Sequence, residues 1–145
     1  MALILWMGVI FYFSAQEAVH SAGQSRGVLK TIENVIEAVT GKTVELSGTG
    51  LYTAEKLIRK TAHFFVYFIL GMLAVNSVYR FCIGKSFWIS ECICILYAIS
   101  DEVHQLFVPG RSGQVSDVLL DSVGATAGIL IFLFVYSIFN VRRMK

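Results

Sequence analysis

Apolar residues fall into four long runs, separated by one long polar stretch and two short ones, and this rhythm predicts helices that cross a lipid bilayer. The first run covers residues 2–13. Twelve residues rise roughly 18 Å as an α-helix, against roughly 30 Å of hydrocarbon. A crossing therefore needs the helix to continue past Ser14 and Gln16 to about residue 18. A cleaved signal segment fits less well, because no Lys or Arg precedes the run and no A-x-A pattern directly follows it. Residues 61–79 predict a second span over about 60–80. Residues 86–100 rise only roughly 22 Å. The third helix, about 86–107, must then carry Asp101, Glu102, His104 and Gln105 to the bilayer's edge. Pro109 and Gly110 break it, and residues 117–140 predict a fourth span over about 116–140.

The long polar stretch, about residues 16–59, has a pattern of its own. Val28, Leu29, Ile32, Val35, Ile36 and Val39 recur at helical spacing, with Lys30, Glu33, Asn34 and Glu37 on the other face. This predicts an amphipathic helix over about 25–40, ended by Gly41, lying on the membrane surface or over the ends of the other helices.

Composition supports lipid as the solvent: 56% of the 145 residues are hydrophobic and one is proline, with a mean hydropathy of +0.68. The expected fold is all-α, a single membrane domain over 1–145 built as an integral bundle of four transmembrane helices, with the amphipathic helix in the first extracytoplasmic loop. A formal charge of +2 and the lack of a basic, aromatic-interleaved stripe exclude a nucleic-acid partner. Cys82, Cys92 and Cys94 are odd in number and lie in apolar stretches, so they read as filler and not as a disulfide framework. Arg80, Lys85, Arg142, Arg143 and Lys145 gather on one side of the predicted bundle, where the cytoplasmic excess belongs. Both termini are accordingly expected inside, although Arg111 in the short loop and Arg26, Lys30, Lys42, Lys56, Arg59 and Lys60 in the long one load the opposite side. The cluster of Lys56, Arg59 and Lys60 then needs another explanation.

Four antiparallel helices bring the polar residues to one membrane face. Ser14 and Gln16 close the first; Lys60, His63 and Tyr67 form a stripe opening the second; Asp101, Glu102, His104 and Gln105 close the third; Arg111, Asp117 and Asp121 follow. Ionisable groups at this depth are costly, so they are expected to face the bundle interior, pair with each other and mark function. The helix-four stripe continues through Gly124, Ala125 and Gly128, a small-residue pattern that lets a neighbouring helix approach closely.

At these positions the sequence resembles the VanZ-like family of small bacterial membrane proteins. The blocks are Phe13-Ser14-Ala15-Gln16, Lys60-x-x-His63, Asp101-Glu102-Val103-His104-Gln105-x-Phe107-Val108-Pro109-Gly110-Arg111, and Asp117-x-x-x-Asp121-x-x-Gly124. Asp121 stands where the resemblance leads one to expect Asn. The resemblance implies a multi-pass protein of the bacterial cytoplasmic membrane, associated in its founding member with resistance to the glycopeptide teicoplanin, and it implies no settled reaction.

Three readings of the constellation follow. In the first, an outward-facing pocket recognises a membrane lipid or lipid-linked envelope precursor: Arg111 beside a Pro-Gly turn, with Lys60 near it, suits phosphate or carboxylate. Asp117, Asp121, Gln105, Tyr67, Ser14 and Gln16 complete the expected binding set, and the alternative for Arg111 is an ion pair with Asp117 or Glu102. In the second, the protein is a membrane hydrolase or transferase acting on a phosphate or acyl group, with His104 as base, Asp101 or Glu102 orienting it, and His63 beside them. In the third, the constellation is structural and the chain is an assembly subunit. No H-E-x-x-H or similar tight signature is present, so neither a metal nor another cofactor is expected. Glu91 reads as a partner for Lys85 or another helix.

Overall fold

In a computed structural model, which describes residues 1–43 and 46–143, the described residues form five α-helices and no strand. They are α1 (Ala2–Ser14), α2 (Ala18–Thr40), α3 (Gly48–Tyr79), α4 (Ser86–Gln105), entered through a 3₁₀ turn at Ile83–Lys85, and α5 (Val115–Arg143). Three are long and apolar enough to cross a membrane: α3, α4 with its leading turn, and α5. Helix α1 is not, since its 13 residues rise roughly 20 Å.

The chain departs from the predicted boundaries at its polar corners. Helix α1 stops at Ser14 and does not run to about residue 18: the Gln16 amide donates to the Phe13 carbonyl (3.3 Å) in a tighter turn, and Glu17 leaves helical geometry at ψ 152°. The Gln24 side chain donates to Gln16 Oε1 (3.1 Å), fastening the corner to α2. Helix α2 begins seven residues before the expected 25, and α3 begins at Gly48, well ahead of 60. These added turns lack an apolar stripe because they bury polar groups instead, Ser21 and Ser25 on α2 and Glu55 on α3. Glu55 accepts from Arg26 Nε at 2.5 Å, tying the two helices together. On α2 Leu29 is buried, while Val28, Ile32, Val35, Ile36 and Val39 remain exposed, so most of its apolar stripe is not covered by the other helices.

Helices α3 and α5 run parallel and α4 runs against both. Phe64 and Phe68 meet Gly124 and Gly128 in the same order, whereas Glu91 meets Thr126 and Glu102 meets Gln114 in reverse order. The small residues make the α3–α5 contact. A Cβ on Gly124 would lie 2.5 Å from the Phe64 carbonyl oxygen, and one on Gly128 or Gly71 would collide with the Phe68 or Ala125 carbonyl. Helix α1 is pinned on α3 and α4 at bundle depth: Trp6 Nε1 donates to the Val66 carbonyl (2.9 Å), and the Tyr97 hydroxyl donates to the Met7 carbonyl (2.6 Å). Ile10, Tyr67, Leu70, Ala74, Cys94, Ala98 and Ala125 form the core. Cys94 is buried and Cys92 exposed, on different sides of α4. Glu91 finds its partner on another helix, accepting from the Thr126 hydroxyl (2.9 Å). Lys145, counted among the inner-face basic residues, lies outside the described residues, as do the side chains of Arg142 and Arg143.

Replacing Gly128 by Ala is therefore expected to push α5 off α3 and lower stability by about 1–3 kcal/mol. Gly23→Ala, where a Cβ meets nothing within 4 Å, is expected to be neutral or stabilising. Denaturant titration in detergent, followed by circular dichroism, compares them; equal stability of the two variants contradicts the close contact.

Candidate functional site

At the end of the bundle where α3 starts, α4 ends and α5 starts, carboxylates form a floor. Asp121 is fully buried, and Asp101, Glu102 and Gln105 are each about nineteen-twentieths buried (exposures of 3%, 5% and 6%). Gln105 Nε2 donates to Asp101 Oδ2 (3.2 Å), and Glu102 Oε2 accepts the Gln114 amide (2.8 Å) across the Pro109–Gly110 turn. Gly110 takes φ 75° in that turn, a left-handed conformation natural to glycine. The Oδ1 of Asp101, the Oε1 of Glu102 and both oxygens of Asp121 have no hydrogen-bond partner among the described residues. His63 comes closest to Asp121, with Nδ1 3.6 Å from Oδ2. One oxygen each from Asp101 and Asp121 and one nitrogen of His63 lie within 4.8 Å of one another, the arrangement here with donor atoms for a cation.

Above the floor lie two cavities that share Arg59, His63 and Arg111 in their walls. The polar one, about 380 Å³, is lined among others by Lys56, Lys60, Gln105, Ser112 and Asp117. The other, about 290 Å³, is lined mainly by apolar groups, including Ile10, Phe13, Val28, Ile58, Val66 and Tyr67, with Ser14, Ser21 and Ser25. Lys60 forms an ion pair with Asp117 across α3 and α5. Neither Arg59 nor Arg111 has a carboxylate within 4.0 Å among the described residues, and the Nε of each is buried without a partner. Burial lowers the Arg111 guanidinium from its ordinary pKa and the like charge of Arg59 adds to this, while Asp101 and Glu102 act in the opposite direction.

Most of the residues expected at the site do converge: Lys60, His63, Gln105, Arg111 and Asp117 line the polar cavity, and Ser14, His63, Tyr67 and Arg111 the apolar one. The structure places Asp101, Glu102 and Asp121 beneath them. Gln16 lines neither cavity and holds the α1–α2 corner. His104 also stands apart, its ring stacked on Phe11 of α1 with centroids 4.5 Å apart. Arg59 and Lys56 are site residues that the spacing announced only as a cluster without a role.

A model of the VanZ/LLP1 family matches residues 1–137. The chain belongs to the VanZ/LLP1 family. No curated protein and no solved structure matches it. In this VanZ/LLP1 protein the family-like blocks thus meet in space, with the Asp101–Arg111 block supplying two carboxylates of the floor and a guanidinium above it, and the Asp117–Gly124 block the third carboxylate, Asp121.

The wall formed by α2 depends on the Arg26–Glu55 pair, whose carboxylate is largely buried, with the Glu55 side chain 8% exposed. Arg26→Ala leaves that carboxylate unpaired and is expected to cost about 1–2 kcal/mol, most of it recovered by Glu55→Gln in the same chain. The same denaturant titration measures both; an Arg26→Ala protein as stable as the parent contradicts the pairing.

Proposed function

We propose that this VanZ/LLP1 protein binds an anionic envelope lipid or lipid-linked head group, the head in the polar cavity and the first part of its chain in the apolar one. A single observation carries this reading: Arg59 and Arg111 stand in the shared wall of both cavities, each with its Nε buried and unpartnered, and no carboxylate lies within ion-pair distance of either among the described residues. Two like charges held together in a partly dehydrated wall are stabilised by an anion between them, and guanidinium binds phosphate or carboxylate oxygens in a forked geometry. Lys60 is partly neutralised by Asp117, so it tunes the site more weakly than the arginines. An apolar chamber beside a cationic one fits an amphiphile better than a soluble anion.

In this reading α1 completes a fourth crossing with its flanking residues, both termini face the cytoplasm, and the cavities open to the outer leaflet of the bacterial cytoplasmic membrane. By sequestering or presenting an envelope precursor there, the protein alters susceptibility to glycopeptides such as teicoplanin. A catalytic extension rests on His63, which lines both cavities and has Asp121 behind its ring. That imidazole–carboxylate pair has the ingredients of an acid–base group for phosphoryl or acyl transfer.

The purified protein is expected to bind phosphatidylglycerol in preference to phosphatidylcholine by native mass spectrometry. Arg59→Gln and Arg111→Gln should each weaken binding of the anionic lipid by at least about tenfold, since a charged hydrogen bond contributes roughly 1.5–3 kcal/mol. Equal binding of both lipids, unchanged in the two variants, defeats the proposal.

A further inference from the structure

The carboxylate floor calls for positive charge that the neighbouring bases do not supply. Asp101 and Asp121 come from different helices and are 3% and 0% exposed. Three of their four oxygens have no hydrogen-bond partner among the described residues, the fourth accepting from Gln105. The basic groups nearby are otherwise engaged or too far away. Lys60 pairs with Asp117 and Arg26 with Glu55, and no arginine comes within 4.0 Å of Asp101 or Asp121 among the described residues. Among the described residues His63 is the one base that reaches them, through Nδ1 at 3.6 Å from Asp121.

Two ionised carboxylates in a dry interior are strongly unfavourable unless charge is returned to them. A divalent cation balances both at once with the imidazole neutral. We propose that His63, Asp101 and Asp121 form a binding site for a divalent transition-metal cation of the Zn²⁺ class, reached from the polar cavity along the His63 edge. One nitrogen and two carboxylate oxygens make a borderline-hard donor set, which suits Zn²⁺ or Mn²⁺ better than Ca²⁺. Bonds of about 2.0–2.2 Å place tetrahedral ligand atoms roughly 3.4 Å apart. The His63–Asp121 separation of 3.6 Å is already near that edge, and the full set, within 4.8 Å, needs only side-chain contraction to close on an ion. Three protein ligands leave a coordination position toward the cavity that His63 lines, and Gln105, bonded to Asp101, orients one ligand from behind. The cation site stands independently of lipid binding, since its donors are all from this chain.

Chelator-treated protein, in neutral detergent without anionic lipid, is titrated with Co²⁺ and then Zn²⁺. One equivalent of Co²⁺ should give visible d–d absorption without thiolate-to-metal charge transfer, and Zn²⁺ should displace it. Asp101→Asn and Asp121→Asn, near-isosteric changes, should each weaken binding by at least about tenfold. Glu91→Gln, which changes a carboxylate of α4 remote from the floor that accepts from Thr126 of α5, should bind like the parent. His63→Cys should add a thiolate charge-transfer band to the Co²⁺ spectrum, and it decides the matter if the aspartate variants do not fold. No stoichiometric binding, thiolate charge transfer in the parent, unchanged affinity in both aspartate variants, or no new band in His63→Cys overturns the site. Such a failure leaves the lipid titration of Arg59 and Arg111 untouched, and loss of lipid binding alone leaves the cation site in place.

Discussion

Carboxylates cannot face hydrocarbon without losing most of their charge or their stability, and this chain carries Asp101, Glu102 and Asp121 on helices otherwise apolar enough to span a bilayer. Burying them between helices is the constraint that orders the rest. It requires α3 and α5 to meet backbone to backbone, which Gly124 and Gly128 permit. It also places the end of α4 against the start of both. Once those helices are locked, His63 and Lys60 on α3 face α5 acids, and the Pro109–Gly110 turn sets Arg111 above them.

The resulting end of the bundle is layered by charge. Carboxylates with one imidazole form the buried floor, arginines and lysines line the polar cavity above together with the paired Asp117 and Glu55, and an apolar chamber opens beside both between α1, α2 and α3. Direct pairing of Arg111 with Asp117 or Glu102 is the arrangement that would abolish this layering. Instead Lys60 takes Asp117, the Gln114 amide takes one Glu102 oxygen, and no carboxylate lies within 4.0 Å of Arg111 among the described residues.

Much of this was legible in the sequence wherever a polar residue interrupts an apolar run. The shortfall of residues 86–100 as a span carried the third helix on through Asp101 and Gln105, where α4 ends, and the spacing of Gly124 and Gly128 announced a close helix contact. The membrane-spanning character of α3, α4 and α5 followed from the same runs. Less legible were turns stabilised by buried polar groups. Residues 48–59 carry Lys56 and Arg59 among few apolar positions, so an apolar-window reading ends before the helix that makes Arg59 a site residue. His104 shows a finer limit. Three residues past Asp101 it lies roughly 60° around the helix on one side, and Gln105 roughly 40° on the other. That difference sends Gln105 to the floor and His104 to Phe11.

An experimentally determined structure of the protein in lipid nanodiscs tests the account most directly, through the distance from His63 Nδ1 to the Asp121 carboxylate. The account predicts that the two lie on the inner side of the bundle within about 4 Å, directly or through a shared cation, with Arg59 and Arg111 above them. Helices rotated so that Asp121 and His63 face separate surroundings contradict it.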